Sequence, residues 1–290
     1  MYFVGLDLAW GEKNQSGIAA VDSDGRLLHV GAAQDDEEIK AAIAPYVEGD
    51  CIVAIDAPLI VPNSTGSRRC EKELGHDFAV FDAGPRPAFS DKPEFKNPRG
   101  ARLANALDLD MDPTSSSGRR AIEVFPHPAT VVLFGLKKSL KYKRGPFEDR
   151  HRELVKLMTH VEELDKATPR LRANRSINWV ELRRRVDAAN RPGELDRDED
   201  PVEAVICAYV ALYWYDRPED VTIYGDFASG YIVTPSLPEG LTPAPRSPAP
   251  KPGRDRDLMV RLANAEAKLA SLTAELDDIR RHLDARQGAG

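Results

Sequence analysis

Five carboxylates in this sequence stand where burial is expected, in or beside apolar segments. Burying a carboxylate without a partner costs several kcal/mol or forces it to take up a proton. Carboxylates that share one pocket repel one another and stay ionised only if cations lie between them. Oxygen ligands of this kind suit Mg²⁺ or Mn²⁺. Two such ions about 4 Å apart would activate a water molecule and stabilise the leaving oxygen in phosphodiester cleavage. The residues are Asp7, Asp56, Glu123, Asp200 and Glu203.

Capping roles compete with metal binding for three of these carboxylates. Asp7 is also compatible with the end of a strand and the start of a turn. Pro201 is expected to open a helix, which would make Asp200 its N-cap and place Glu203 at the third helical position. Capping is the stronger interpretation for Asp200. Because residues 202–214 are nearly all apolar, the helix is expected to be buried, and for Glu203 a functional role is at least as strong an interpretation.

The N-terminal elements are predicted to place two of the carboxylates side by side. A helix supplies the long crossover that a parallel return strand needs, so the order β-β-β-α-β brings the fourth strand beside the first. Asp7 and Asp56 would then be neighbours at the carboxyl ends of these strands, where open α/β sheets bind ligands. The predicted elements are strands over residues 2–10, 17–22, 27–30 and 51–58, a hairpin turn at Asp24-Gly25, and a helix over residues 35–47.

The later part of the chain is predicted to be mostly helical. Alternation in a short strand over residues 120–128 would put Glu123 and Phe125 on one face. His127 would lie near the start of the next helix, because Pro128 can open one. We interpret His127 as a structural residue or a hydrogen-bond partner of a nearby carboxylate, in preference to a metal ligand. The remaining predicted elements are helices over residues 148–164, 176–189 and 201–214 and a closing strand within residues 224–235.

A basic, loop-rich segment follows the fourth strand. Residues 59–118 are rich in Pro, Gly and Ser and contain a local excess of Arg and Lys. One interpretation is a solvated insertion. The other is a flap that faces the substrate, since guanidinium groups match phosphate geometry. The second interpretation is strongest for Arg68 and Arg69, which are the first basic residues after Asp56.

Composition limits the class of protein. The chain has 290 residues with 42% hydrophobic content, which is compatible with a proper core. No segment approaches the roughly 18 uninterrupted apolar residues of a membrane span, and the N-terminus does not resemble a signal peptide, so we expect a cytoplasmic protein. Three widely spaced cysteines argue against a zinc site or a disulfide framework. The net charge of −7 indicates no global attraction to nucleic acid.

Five short motifs follow one another in a definite order. They are Val4-Gly5-Leu6-Asp7, Ile55-Asp56-Ala57-Pro58-Leu59 with residues 68–71, Ile122-Glu123-Val124-Phe125-Pro126, Asp200-Pro201-Val202-Glu203-Ala204 and Gly230-Tyr231-Ile232-Val233-Thr234-Pro235. With these motifs, residues 1–236 resemble a family of predicted nucleases with an RNase H-like fold, domain of unknown function 429, which is distantly similar to RuvC-type resolvases. The resemblance implies a divalent-metal nuclease with Asp7, Asp56, Glu123 and Glu203 as its acidic set. One departure is that the related pattern often has aspartate where Glu203 stands.

The C-terminal tail has a different character. Residues 237–253 are rich in proline, which indicates an extended linker with little packing. Residues 254–286 have apolar side chains at alternating steps of four and three, which is the heptad pattern of a coiled coil. This pattern favours self-association as a dimer, trimer or tetramer. A lone helix that folds back on the domain is the alternative.

These observations predict an α/β protein with an RNase H-like mixed sheet flanked by helices, followed by a C-terminal coiled-coil helix. The first functional hypothesis is a nuclease dependent on Mg²⁺ or Mn²⁺ that cleaves DNA or RNA and oligomerises through its tail. The second is a non-catalytic module of the same fold that binds nucleic acid or a protein. A kinase-like ATPase is a third, but no phosphate-binding glycine loop follows the first strand.

Overall fold

A mixed five-stranded sheet forms the centre of the computed structural model, which describes residues 1–9 and 14–245. The strand order is β3-β2-β1-β4-β5. The first three strands are antiparallel neighbours, whereas β4 pairs in parallel with both β1 and β5. The predicted return of the fourth strand beside the first is therefore confirmed. The strands are β1 (Tyr2–Asp7), β2 (Ser16–Asp22), β3 (Leu27–Ala33), β4 (Cys51–Asp56) and β5 (Arg119–Glu123).

Helices surround this sheet. The first of them connects β3 to β4 and begins at the N-cap Asp35, whose side chain accepts a hydrogen bond from the Glu38 amide at 2.9 Å. Short 3₁₀ segments cover Ala79–Phe81, Leu164–Lys166, Ala173–Arg175 and Pro218–Asp220. The helices are α1 (Asp36–Val47), α2 (Arg69–Phe78), α3 (Pro93–Lys96), α4 (Arg99–Ala106), α5 (Pro126–Leu133), α6 (Phe147–Glu163), α7 (Ile177–Ala188) and α8 (Pro192–Asp216).

The long helix α8 packs directly on β1 and β2, and two glycines allow this close approach. A Cβ atom at Gly5 would lie 1.9 Å from the carbonyl oxygen of Ala204, and one at Gly17 would lie 2.0 Å from that of Asp200. Real side chains do not approach a backbone so closely, so the helix can reach this position only where the strands have no side chain. The packing holds Glu203 over the end of β1.

The start of α8 differs from the prediction. The helix begins at Pro192, and Pro201 lies inside it, so Asp200 is a helical residue and the predicted N-cap role is wrong. A proline within a helix cannot donate to the carbonyl four residues earlier. Here that carbonyl belongs to Arg197, and it accepts a hydrogen bond from the Gln15 side chain instead. This tertiary contact replaces the missing helical bond, which the sequence pattern alone does not show.

The segment over residues 59–118 contains α2, α3 and α4, and most of its other residues lie in turns and irregular structure. Two other expectations need correction. The expected single closing strand is a hairpin that forms its own two-stranded sheet, β6 (Val221–Asp226) with β7 (Gly230–Pro235). In the expected linker, Leu237 and Leu241 pack against a second apolar cluster, which includes Phe78 and Ile232.

Residues 1–244 form one compact unit. The predicted coiled coil over residues 254–286 and most of the predicted linker lie outside the described residues, so both remain predictions. Within the described ranges, no helix combines the length and the apolar character needed to cross a membrane.

Candidate metal centre

Asp7 and Asp56 lie side by side at the carboxyl end of the sheet. The parallel register of β1 and β4 pairs the two residues directly, and residues paired in this way have side chains on the same face. Asp7 is buried, with 6% of its surface exposed. Its Oδ2 atom accepts no hydrogen bond from any described residue, although an unsatisfied buried polar atom is unfavourable. The pair therefore has unused capacity to bind a cation.

Glu203 on α8 completes a group of three carboxylates. One oxygen from each of Asp7, Asp56 and Glu203 lies within 4.8 Å of the other two. Glu203 is almost fully buried, with 1% of its surface exposed. Asp200 lies about one turn earlier on the same helix, and it is not a member of this group. Four of the five predicted metal ligands are thus brought to one place, and three of them are close enough to share an ion.

A lysine that the sequence analysis did not single out lies among these carboxylates. The Nζ atom of Lys143 forms a very short ion pair with Glu203 Oε2 and lies 3.5 Å from Asp7 Oδ2 and 3.6 Å from Asp200 Oδ1. Its side chain is only 33% exposed. The one available signal in the sequence was the density of basic residues over positions 137–144. Such a run usually indicates a solvated surface, and nothing in it shows which lysine points inward.

Tyr142 fixes the segment that precedes Lys143. The buried Tyr142 hydroxyl donates a hydrogen bond to Glu203 Oε1 at 2.5 Å. The Tyr142 carbonyl accepts a hydrogen bond from Arg150 Nε at 2.9 Å, and Arg150 also pairs with Asp196 and Glu199 on α8. Lys143 therefore follows a residue that is anchored by both its side chain and its backbone.

Electrostatics divide the three carboxylates into one charged group and two groups that resist ionisation. Burial, reinforced by repulsion from Glu203, raises the pKa of Asp7 well above its usual value, and the same causes raise the pKa of Asp56. Burial also opposes ionisation of Glu203, but Lys143 outweighs it and lowers the pKa of Glu203 to about 2. Burial likewise disfavours a charged Lys143, but Glu203 and Asp7 outweigh this effect and raise its pKa. A further cation near Asp7 and Asp56 would favour their ionised forms.

Glu123 lies in a different environment from the other four carboxylates. In the β4–β5 register it pairs with Ile55, not with Asp56, so the pleat points it to the opposite face of the sheet. There its two oxygens accept hydrogen bonds from the Arg68 guanidinium at 2.6 and 2.8 Å, and Oε2 also accepts one from the Leu59 amide at 2.9 Å. These bonds occupy the carboxylate, and the structure leaves Glu123 outside the candidate metal group.

Arg68 lines the cleft described below, and its guanidinium is held in a buried network of hydrogen bonds. It is 3% exposed. In addition to Glu123, its Nε atom donates to Glu71 Oε1 at 2.8 Å and its Nη1 atom to the Ile60 carbonyl at 3.0 Å. Burial disfavours the charged guanidinium, but Glu123 outweighs it and the pKa of Arg68 is raised. The network occupies most of the guanidinium donors, and the expectation that Arg68 meets phosphate stays a prediction.

The other two predicted substrate-binding residues lie in contrasting places. Arg69 is on the exposed surface, where it pairs with Glu73 at 2.7 Å and Asp226 at 3.2 Å, and it does not line the cleft described below. His127 does line that cleft. Its Nδ1 atom and Ser139 Oγ are 3.2 Å apart in a hydrogen bond. Burial lowers the pKa of His127, although Glu203 opposes the effect. The partner of this bond is a hydroxyl and not a carboxylate, and the interpretation of His127 as a structural residue or a hydrogen-bond partner of a carboxylate stays a prediction.

The carboxylates open into a cleft with a mixed electrostatic character. The cleft has a volume of about 850 Å³, and its lining includes Asp7, Asp56, Asp200 and Glu203. Exposed basic side chains also line it, so an acidic floor faces a basic rim. Phosphate groups match this arrangement, because the rim can bind their oxygens while the floor binds a cation. The rim residues are Arg86, Lys141, Arg144 and Arg197.

The donor set fits a hard divalent cation. Ligands on opposite sides of one Mg²⁺ ion stand about 4.2 Å apart, because each lies about 2.1 Å from the ion. The oxygens of Asp7, Asp56 and Glu203 lie within 4.8 Å of one another, so small side-chain movements would bring them to that spacing. The unbonded Asp7 Oδ2 atom supports the same assignment. These three residues could hold Mg²⁺ or Mn²⁺.

The comparisons with known proteins identify a family whose function is not described. No curated protein and no solved structure matches the chain significantly. One family model, described as "Protein of unknown function (DUF429)", matches residues 5–228. This range includes the end of β1, all of β2 to β6 and every residue of the candidate metal centre, and it ends before β7. The chain therefore belongs to the DUF429 family.

Proposed function

We propose that this protein is a metal-dependent nuclease that hydrolyses phosphodiester bonds in DNA or RNA. The observation that carries the proposal is the convergence of Asp7, Asp56 and Glu203 within 4.8 Å at the open end of the sheet. The order of its first five strands and the helix between β3 and β4 are those expected of an RNase H-like fold, which is part of the same proposal.

Some residues of the cleft would bind the cation, and others would bind the substrate. Asp7, Asp56 and Glu203 would hold Mg²⁺ or Mn²⁺, which when bound supplies Lewis acidity and an activated water molecule. Tyr142 orients Glu203 through its hydrogen bond. The basic rim would bind the phosphate groups on either side of the scissile bond, and Arg fits this task because its fork matches phosphate oxygens. Cleavage requires that the cation and the scissile phosphate are both held in fixed positions.

Substitution of Asp7 by asparagine tests this function. Asp7→Asn keeps the size of the side chain but removes the charge that a metal ligand needs, so we expect cleavage to fall by ~100-fold or more. The assay would measure Mn²⁺-dependent cleavage of branched, single-stranded and duplex DNA and RNA by the full chain. Asp187→Asn on the exposed side of α7, where Asp187 pairs with Arg183, is the matched control. Equal cleavage by Asp7→Asn and the control would contradict the proposal.

A second candidate function is a non-catalytic module that binds nucleic acid or a protein partner. The observation that favours it is Lys143, because an internal ammonium already neutralises part of the acidic cluster. Calorimetry separates the two candidates. A nuclease of this kind is expected to bind Mn²⁺ in the absence of substrate, whereas a non-catalytic module would show no heat of binding at millimolar metal.

A further inference from the structure

The position of Lys143 bears on how many divalent ions the cluster can hold. The ion pairs of Lys143 reach Glu203, Asp7 and Asp200, and among the described residues they do not extend to Asp56. The ammonium therefore lies on the Asp200 side of the group. Asp7 Oδ2 faces this ammonium at 3.5 Å. Asp56, which pairs with Asp7 in the sheet register, has no ion pair with any described residue, so the Asp56 side of the cluster lacks a cation within ion-pair distance.

Occupancy, and not total charge, limits the number of ions. With Asp7, Asp56, Asp200 and Glu203 all ionised, Lys143 and one divalent ion leave one negative charge, and Lys143 and two divalent ions leave one positive charge. The place among Glu203, Asp7 and Asp200 is already taken by the ammonium. A divalent ion in that place would be repelled by the like charge of Lys143 where water is excluded.

Hydrogen bonds fix the segment that precedes Lys143, so the fold itself determines the position of the ammonium group. Tyr142 is held by Glu203 through its hydroxyl and by Arg150 through its carbonyl. On the other side of Tyr142, Leu140 and Ser139 are buried, and the Ser139 amide donates to the Phe81 carbonyl at 2.7 Å. A lysine at the end of such a fixed segment has far fewer accessible positions than one on a free loop.

We infer that Lys143 takes the place of a second divalent cation, so that the cluster binds one divalent ion, between Asp7 and Asp56, beside a resident ammonium group. This inference rests on the proposed function, because it assumes that the carboxylates bind metal. It makes Lys143 a determinant of metal stoichiometry. In the reaction, its ammonium would supply part of the positive charge that a second ion provides in two-metal nucleases.

The test is to count Mn²⁺ ions bound to the full chain and to the variant Lys143→Gln. Calorimetry with Mn²⁺ alone is expected to give one ion per chain for the wild type and two for Lys143→Gln, because the vacated place then accepts metal. Electron paramagnetic resonance adds a second measurement. The wild type should show isolated Mn²⁺, and the variant should show the coupled signal of two neighbouring ions.

Two further variants separate charge from position. Lys138→Gln is the matched control, since Lys138 lies in the same segment and pairs with the exposed Asp82 at 3.0 Å, and it should keep one ion. Lys143→Arg keeps the positive charge and should also keep one ion. Two ions in the wild type would overturn the inference while leaving the proposed function intact. A single, more tightly bound ion in Lys143→Gln would overturn it too, because the lysine would then compete for the same place as the metal.

The remaining outcomes are also decisive. If neither the wild type nor Lys143→Gln binds Mn²⁺, the metal centre does not exist and the proposed function fails together with the inference. If circular dichroism shows that Lys143→Gln is unfolded, the wild type decides alone: one isolated ion supports the inference, and a coupled pair contradicts it.

Discussion

Two buried ionic clusters lie at the same end of the sheet, and they are built in opposite ways. In the first, the Arg68 guanidinium donates to both Glu71 and Glu123, and backbone amides complete the set of bonds. In the second, Lys143 contacts Glu203 and lies near Asp7, whose Oδ2 atom still accepts no hydrogen bond. The first cluster is satisfied within the protein, and the second is not.

The difference follows from the shapes of the two cations. A guanidinium has several donors in a rigid plane, so Arg68 can bind two carboxylates at once and leave neither without a partner. An ammonium is a point charge with three donors, and it cannot satisfy several carboxylates that approach from different sides. A complete arginine network indicates structure, whereas an incomplete lysine cluster indicates capacity for a ligand. Neither type can be recognised from the carboxylates alone.

The largest effect is expected from removing the cation of the satisfied cluster. Arg68→Ala would leave Glu71 and Glu123 buried without a counter-charge, which should lower the free energy of unfolding by roughly 3–5 kcal/mol. Urea denaturation of the full chain would measure it. Arg69→Ala, at the exposed neighbouring position, should scarcely move the midpoint. A loss for Arg68→Ala below about 1 kcal/mol, the size typical of surface pairs, would remove the distinction between the clusters.

The second-largest effect is expected on Mn²⁺ affinity, and it should distinguish Glu203 from Glu123. Glu203→Gln should weaken Mn²⁺ binding by ~100-fold, because a neutral amide replaces a charged ligand. Glu123→Gln should leave Mn²⁺ affinity within about twofold of the wild type, since Glu123 is occupied by Arg68 on the other face of the sheet. Calorimetry of both variants measures the contrast. Comparable losses in the two variants would show that both clusters contribute to one metal site.

The smallest effect is expected from the hydroxyl that orients Glu203. Tyr142→Phe removes one hydrogen bond to a charged oxygen, which should cost about 1.5 kcal/mol of stability. Mn²⁺ affinity should change little, because the lost bond is to Oε1 and the contact with Lys143 is at Oε2. Urea denaturation and calorimetry would be run on the same preparation. A tenfold loss of metal affinity with unchanged stability would mean that the Tyr142 hydroxyl acts on metal binding and not on folding.

Parts of this arrangement could be predicted from local pattern. Asp7 and Asp56 end near-continuous apolar strands, and the helix between β3 and β4 requires a parallel return, so their pairing followed from chain order. Glu203 stood out because it is a single charge in an otherwise apolar helix. In these cases one periodicity and one topological rule determine the position of the side chain.

The errors arose where position depends on contacts between distant segments. Alternation within β5 could not show that Glu123 pairs with Ile55 and not with Asp56, because register is a property of two strands. A proline usually marks the start of a helix, but Gln15 compensates for the lost bond at Pro201. Lys143 was missed because a basic run has no periodicity that distinguishes an inward lysine from its exposed neighbours.

The geometry of the metal centre depends on the glycines that α8 packs against. Gly5 is two residues from Asp7 on the same face of β1, and the backbone of Ala204, next to Glu203, occupies the volume that a side chain at Gly5 would need. The distance between a strand ligand and a helix ligand is thus set by a single missing methyl group. Loss of the centre could originate at a residue that has no polar atom in its side chain and never touches the ion.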